Sequence, residues 1–273
     1  MTATKAPLWR TALHSTLGNL VVGIATVFFG LLGTLFGFVP PRGRWMLLCC
    51  RGWSYVVLWA SGVRVVQEFE AEIDPKQGYV FLANHQSMYD IPTILVSVPS
   101  EVRFLAKRSL FFVPFFGWAL WAGGFIPVDR SNRKAAQKTF LVAERTLRSG
   151  SAIVLFPEET RSQDGNLLPF KRGGLLLAQR TGFPIVPVGI SGTCVVKPKG
   201  SFHVKPGTVT IRYGRPIPPA GKGAAEQALL GDRVRREIAR LAGLDAGLDD
   251  AGLDEAGLER DPAPQPDAQS QET

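Results

Sequence analysis

The chain has 273 residues, of which 45% are hydrophobic, so it can build a substantial core and is not disordered throughout. Its net charge of +8 is uneven: residues 241–273 hold nine acidic side chains and one arginine, and the first 240 carry 30 basic against 14 acidic groups. So basic a body expects an anionic partner, which is a nucleic acid, an anionic lipid surface or a phosphorylated substrate. The three cysteines, adjacent at Cys49 and Cys50 and single at Cys194, exclude a disulfide framework and a CxxC zinc pattern and fit a reducing cytosol.

In chain order, no Asp, Glu, Lys or Arg lies between Arg10 and Arg42, and residues 17–39 are almost wholly apolar. About 20 such residues suffice to cross a bilayer core, and the run is too long for a signal peptide's apolar segment, so a membrane-embedded helix is expected. A second apolar stretch, 45–60, is interrupted only by Arg51, and the Pro40-Pro41-Arg42-Gly43 run makes a turn between the two. Lys5 and Arg10 on one side and Arg42 and Arg44 on the other leave the orientation open. Two arrangements fit: a hairpin that enters and leaves the cytoplasmic leaflet with Trp45, Trp53, Tyr55 and Trp59 near the headgroups, or one full span followed by an interfacial helix. Gly33 and Gly37 have the small-residue spacing that lets helices approach closely. Residues 1–60 are read as membrane-associated helices in the inner membrane, with the following domain expected on its cytoplasmic face.

From residue 63 the pattern changes to short β-type runs at 63–68, 79–83, 125–128, 152–156, 185–190 and 208–213, with helical patterns near 92–97, 133–148 and 173–181. Such alternation predicts an α/β domain over 61–240, with a mixed, largely parallel sheet flanked by helices. Pro127 and Pro187 each remove a ladder donor, so their strands should have an edge or a bulge there. Beyond 240 the AGL triplet recurs at 242, 246, 251 and 256 among dense negative charge, which predicts a mobile acidic tail over 241–273 without a catalytic part.

Three expected strands end in concentrated polar groups: Asn84-His85-Gln86-Ser87-Met88-Tyr89-Asp90, Asp129-Arg130-Ser131, and Pro157-Glu158-Glu159-Thr160-Arg161-Ser162. In α/β sheets ligands bind beyond the carboxyl ends of the strands, so one crevice can receive all three. Asp90 has a bland reading as a helix cap, since Ser87-x-x-Asp90 matches a capping box before Ile91-Pro92. It also has a functional one: a carboxylate bound to one imidazole nitrogen of His85 leaves the other free to act as a base. No G-x-S-x-G surrounds Ser87, which argues against a serine nucleophile and for a hydroxyl that belongs to the substrate. Arg130 and Arg161, just past strand ends, carry guanidinium forks that match phosphate, with Lys107 and Lys171 as lesser contributors. Neither a P-loop nor a GxGxxG fingerprint is present, and no recognised nucleic-acid-binding motif accompanies the charge.

"NHQSMYD", "GGFIPVDR", "FPEETRS" and "IVPVGI" resemble, in order, the four motifs of the glycerolipid acyltransferases, most nearly the branch acting on lysophosphatidate. The resemblance covers roughly residues 60–215. It implies His85 as general base, Asp90 as its orienting partner, Arg130 as a phosphate ligand, and Glu158, Thr160 and Arg161 as holders of a glycerol-phosphate acceptor. It further implies acyl-CoA or acyl-carrier protein as donor, a lysolipid as acceptor, and no metal or cofactor. Glu159 departs from the pattern, because the family usually has glycine after the glutamate of the third motif. That puts a side chain and a negative charge where a phosphate is expected, so an acceptor other than lysophosphatidate, zwitterionic or ornithine-type, stays open beside the main reading. A hydrolase using water in place of the alcohol, and a non-catalytic lipid-binding membrane protein, are the rivals from other classes.

Overall fold

The computed structural model describes residues 8–37, 39, 44–128, 133–219 and 223–246. Two long helices come first, α1 (Leu8–Phe36) and α2 (Arg44–Ala60). They pack as a pair: Trp53 Nε1 donates to Thr26 Oγ1 at 3.0 Å. A Cβ on Gly33 would stand 2.2 Å from Met46 Sδ, and one on Gly52 2.7 Å from the Phe29 ring, so both glycines are sites of close approach. Gly37 serves a different neighbour, since its Cβ would meet Ala122 at 2.5 Å.

The rest of the chain runs β1 (Val63–Phe69), β2 (Val80–Ala83), α3 (Asp90–Ser97), β3 (Val102–Lys107), a 3-10 turn (Arg108–Phe112), α4 (Phe116–Ala122), β4 (Ile126–Val128) and α5 (Arg133–Arg148). It continues through β5 (Ala152–Leu155), α6 (Arg172–Thr181), β6 (Ile185–Ser191), α7 (Thr193–Val196), β7 (Gly207–Tyr213) and α8 (Ala224–Ala242). The seven strands form one sheet in the order β1-β7-β6-β2-β5-β3-β4. β2 to β6 are mutually parallel, whereas β7 is antiparallel to β6 and β1 is parallel to β7. The carboxyl ends of β2, β3, β4, β5 and β6 therefore share one edge of the sheet.

β2 has every side chain buried. Phe81 and Ala83 face a layer with Val57 and Leu58 of α2 and Ile94 of α3, while Val80 and Leu82 face Leu147 of α5, Leu177 of α6 and Val234 and Ile238 of α8. A strand covered on both faces reads as a continuous apolar run, which is how it was visible in the sequence. Pro127 lies in β4 at the sheet edge, as expected. Pro187 lies inside the sheet, where the register against the returning chain slips by one residue between Val188↔Tyr213 and Ile185↔Ile217. That slip is the bulge its missing N–H requires.

Three features go beyond the sequence expectation. β3 was missed because Arg103 and Lys107 interrupt a short run. Arg51, the one charge of α2 beyond its first residue Arg44, is satisfied by the last turn of α3, donating to Leu95 O at 3.3 Å and Val98 O at 2.8 Å. The domain also passes the boundary expected at 240: Leu241 and Ala242 are buried in α8, Gly243 caps it in the left-handed region, and Arg235 Nε donates to Ala246 O at 2.6 Å. The remainder of the expected acidic tail, from residue 247 on, lies outside the described residues.

α1 does not leave the domain. Ser15 Oγ donates to Val204 O at 3.2 Å, Asn19 Nδ2 donates to Phe202 O at 2.9 Å, and a Cβ on Gly30 would meet Phe115 O at 3.5 Å. Its opposite face exposes Leu17, Leu20, Ile24, Val27, Phe28, Leu31 and Leu35, an apolar stripe at helical spacing. Tyr55 and Trp59 of α2 and Trp118 and Trp121 of α4 are exposed as well. Residues Ser15–Phe36 form the one described segment long and apolar enough to cross a membrane.

Candidate active site

At the end of β2 the chain turns on Asn84, whose buried amide donates to Ile190 O at 2.8 Å and accepts from Ile190 N at 2.7 Å. This clamp continues the β2–β6 ladder for one step with side-chain atoms and releases the backbone of His85 into the crevice. The His85 ring stacks on Phe156, with centroids 3.9 Å apart and planes at 13°. Its Nδ1 lies 2.8 Å from Asp90 Oδ2, and its side chain is 15% exposed while that of Asp90 is 0% exposed. With Nδ1–H donating to the carboxylate, Nε2 keeps its lone pair.

Asp90 Oδ2 also accepts the backbone N–H of Gln86 at 2.8 Å and of Ser87 at 2.9 Å. A carboxylate held by three donors cannot swing, so it sets the ring plane. Its other oxygen, Oδ1, is buried and has no hydrogen-bond partner among the described residues. The cap expectation is half realised: Asp90 returns to the Ser87 N–H, but Ser87 Oγ accepts from Tyr89 N at 3.2 Å and donates to Lys197 O at 2.8 Å. The hydroxyl proton of Ser87 is thus engaged away from the imidazole.

Glu158 lies at the third cluster and is 3% exposed. Oε1 accepts His85 N at 2.7 Å and Oε2 accepts Leu168 N at 2.9 Å. Burial pushes its carboxyl above the usual range, while the two backbone bonds and the nearby imidazole pull the other way. In this geometry Glu158 holds the backbone of the histidine it sits beside. Ser162 N donates to His85 O at 2.8 Å and Gln86 Nε2 to Gly165 O at 2.7 Å, so the loops after β2 and β5 are tied along their length.

The expected cations distribute around this core. Arg161 is partly buried and Thr160 exposed on the loop after β5. Lys107 is exposed at the carboxyl end of β3, in register with Val128. Lys171 is exposed before α6, its N–H bound to Pro157 O at 2.8 Å. Arg130 lies outside the described residues, two positions past the end of β4. Sequence reasoning missed Lys197 and Lys199, whose only signal was two lysines at alternate positions after a short helix. Lys199 Nζ donates to Arg161 O at 2.8 Å and lies 3.5 Å from Thr160 Oγ1. Burial, and then repulsion from Arg161, lowers the Lys197 ammonium below the usual lysine range.

Glu159 takes φ +61°, a left-handed conformation that a residue with a Cβ adopts at a cost. A glycine there needs no close ligand to explain it, because the backbone alone asks for one. The Glu159 carboxylate is turned toward the first turn of α6, with Oε1 4.0 Å from the place a Cβ on Gly173 would occupy. Helix N-termini favour a negative group.

A family profile described as Acyltransferase matches residues 64–191. A 1-acyl-sn-glycerol-3-phosphate acyltransferase of Pseudomonas aeruginosa is 32% identical over 81% of this chain and 91% of that protein. A chloroplastic 1-acyl-sn-glycerol-3-phosphate acyltransferase of Brassica napus is 34% identical over 60% of this chain, which spans 46% of that longer relative. The crystal structure of a 1-acyl-sn-glycerophosphate acyltransferase from Thermotoga maritima superposes with a TM-score of 0.74 at 28% identity, covering 86% of this chain and 95% of that one.

Proposed function

The chain belongs to the acyltransferase family, and on that premise we propose that it moves a fatty acyl group from a thioester to the sn-2 hydroxyl of lysophosphatidate, giving phosphatidate at a membrane surface. The observation that carries this reading is the His85–Asp90 pair, aimed by buried hydrogen bonds at the edge where the cations collect. Nε2 takes the proton of the acceptor hydroxyl as its oxygen attacks the thioester carbonyl. The imidazolium so formed is stabilised by Asp90. As the tetrahedral intermediate collapses, the C–S bond breaks and the imidazolium returns the proton to the departing thiolate, so His85 ends the cycle neutral. The donor is acyl-CoA or acyl-carrier protein, and the reaction belongs to phospholipid synthesis.

The membrane part of the proposal rests on α1 and α2. Because α1 lies against the domain from Ser15 to Gly37, standing it upright across a bilayer would carry charged parts of the domain into hydrocarbon. The helix pair instead lies in one leaflet, with its exposed apolar stripe inserted and Trp59, Trp118 and Trp121 at the headgroups. A cavity of about 800 Å³ lies between α1, α4 and α5, lined by Trp118, Trp121, Val142 and Arg103. With the exposed apolar face of α1, the α4 surface around it would hold acyl chains at the bilayer edge. Residues 1–60 would then serve as the membrane part and residues 61–246 as the catalytic part.

Purified full-length protein, assayed with both thioester donors against a panel of lysolipids, is expected to form phosphatidate, and His85→Ala to abolish it. Free fatty acid without diacyl lipid would establish hydrolysis in its place.

A further inference from the structure

Within the acyl-transfer reading just proposed, the segment joining β6 to β7 has a part that neither motif nor resemblance assigns to it. The Lys197 carbonyl receives Ser87 Oγ at 2.8 Å. Arg161 immediately precedes Ser162, whose N–H binds His85 O at 2.8 Å, and Lys199 Nζ reaches the Arg161 carbonyl at 2.8 Å. The segment of Lys197 is therefore tied to the Ser87 hydroxyl, that of Arg161 to the His85 carbonyl through Ser162, and Lys199 to both through the Arg161 carbonyl. Their ammonium contacts are to neutral oxygens: Lys197 Nζ to Ser201 O at 2.6 Å, and Lys199 Nζ to Arg161 O and Thr160 Oγ1. Among the described residues none of the three pairs with a carboxylate. Burial first, and then repulsion from Arg161, lowers the Lys197 ammonium, and an anion arriving beside it relieves the second cost.

We propose that Arg161, Lys197 and Lys199 form one site for a phosphate monoester, and that this site selects lysophosphatidate over lysolipids whose phosphate is a diester. In lysophosphatidate the phosphate is borne by the carbon next to the one carrying the sn-2 hydroxyl, so its site must lie beside the base. The tethers to residues 85–87 meet that requirement. A monoester carries about −1.5 to −2 at neutral pH, against one charge for a diester, so a cluster of three cations gains more from it. Glu159 does not oppose this, because its carboxylate is turned toward α6.

The test compares a short-chain lysophosphatidate with the matching lysophosphatidylglycerol, which differs by esterification of the phosphate. Full-length protein in detergent is assayed for kcat and KM, and calorimetric binding is measured in the His85→Ala background. Lys197→Gln and Lys199→Gln are each expected to raise KM for the monoester about tenfold and the pair about a hundredfold, with less than about a threefold change for the diester. Lys197→Arg and Lys199→Arg should keep most of the preference, which separates charge from loop packing. Equal losses with both acceptors would overturn the proposal in favour of a structural role, and unchanged KM values would place the phosphate elsewhere. A wild type that transfers no acyl group would refute the proposed reaction, and the binding arm would still decide the site.

Discussion

The two loops that build the centre, after β2 and after β5, each place one buried carboxylate next to His85, yet the carboxylates do different work. Asp90 binds the imidazole itself and two backbone N–H groups, whereas Glu158 binds the backbone N–H of His85 and that of Leu168. One aims the ring, and the other fixes the chain from which the ring hangs. A carboxylate in a candidate active site thus cannot be assigned to substrate from residue type and position alone, since the number of backbone donors it faces decides its role.

Removing the group that both serve should have the largest effect: His85→Ala is expected to lower kcat by at least about 10³-fold with little change in unfolding temperature. Asp90→Asn keeps the shape but loses the charge that stabilises imidazolium and puts an amide N–H₂ where Oδ1 has no partner. A fall of about 10²–10⁴-fold in kcat is expected, measured beside an unchanged KM for the acceptor.

Glu158→Gln should sharpen the contrast, because a neutral amide cannot accept on both of its terminal atoms. It is expected to cost about 1–3 kcal/mol of stability and to lower kcat less than Asp90→Asn does. The pH dependence has a definite sign. Burial raises the Glu158 carboxyl above its unfolded value near 4.5, so the folded protein takes up this proton before the unfolded chain does. The group's stabilising contribution is complete below the unfolded value and is lost as pH rises through the raised one. The unfolding temperature of the wild type should therefore gain on that of Glu158→Gln as pH is lowered toward 4.5. A gap that does not change with pH would break the assignment of Glu158 as the buried titrating group.

The smallest effect should be Glu159→Gly. Relief of the left-handed conformation is partly offset by glycine's larger unfolded-state entropy and by loss of the carboxylate at α6, which leaves a net change within about 1 kcal/mol in chemical denaturation.

Much of this was legible in the chain. The strands at 79–83 and 152–156 announced themselves as unbroken apolar runs, and the polar clusters following them named His85, Asp90, Glu158 and Arg161. The structure brings those four to one edge because β2 and β5 are neighbours running in the same direction. What stayed hidden depended on partners distant in sequence. Arg51 interrupted an apolar helix until α3 supplied its carbonyls, and Lys197 and Lys199 did not stand out until the return from β6 laid them beside Ser87 and Arg161.

By itself the sequence determined where apolar runs end and polar side chains gather, because periodicity and composition act over a few neighbouring residues. Only the tertiary structure decided that Glu158 holds the backbone of His85 and that Lys197 and Lys199 come to lie beside Ser87 and Arg161. Those assignments rest on hydrogen bonds between residues 38 to 110 positions apart, as between Lys199 and Arg161, His85 and Glu158 or Ser87 and Lys197, and a linear pattern carries no record of such contacts.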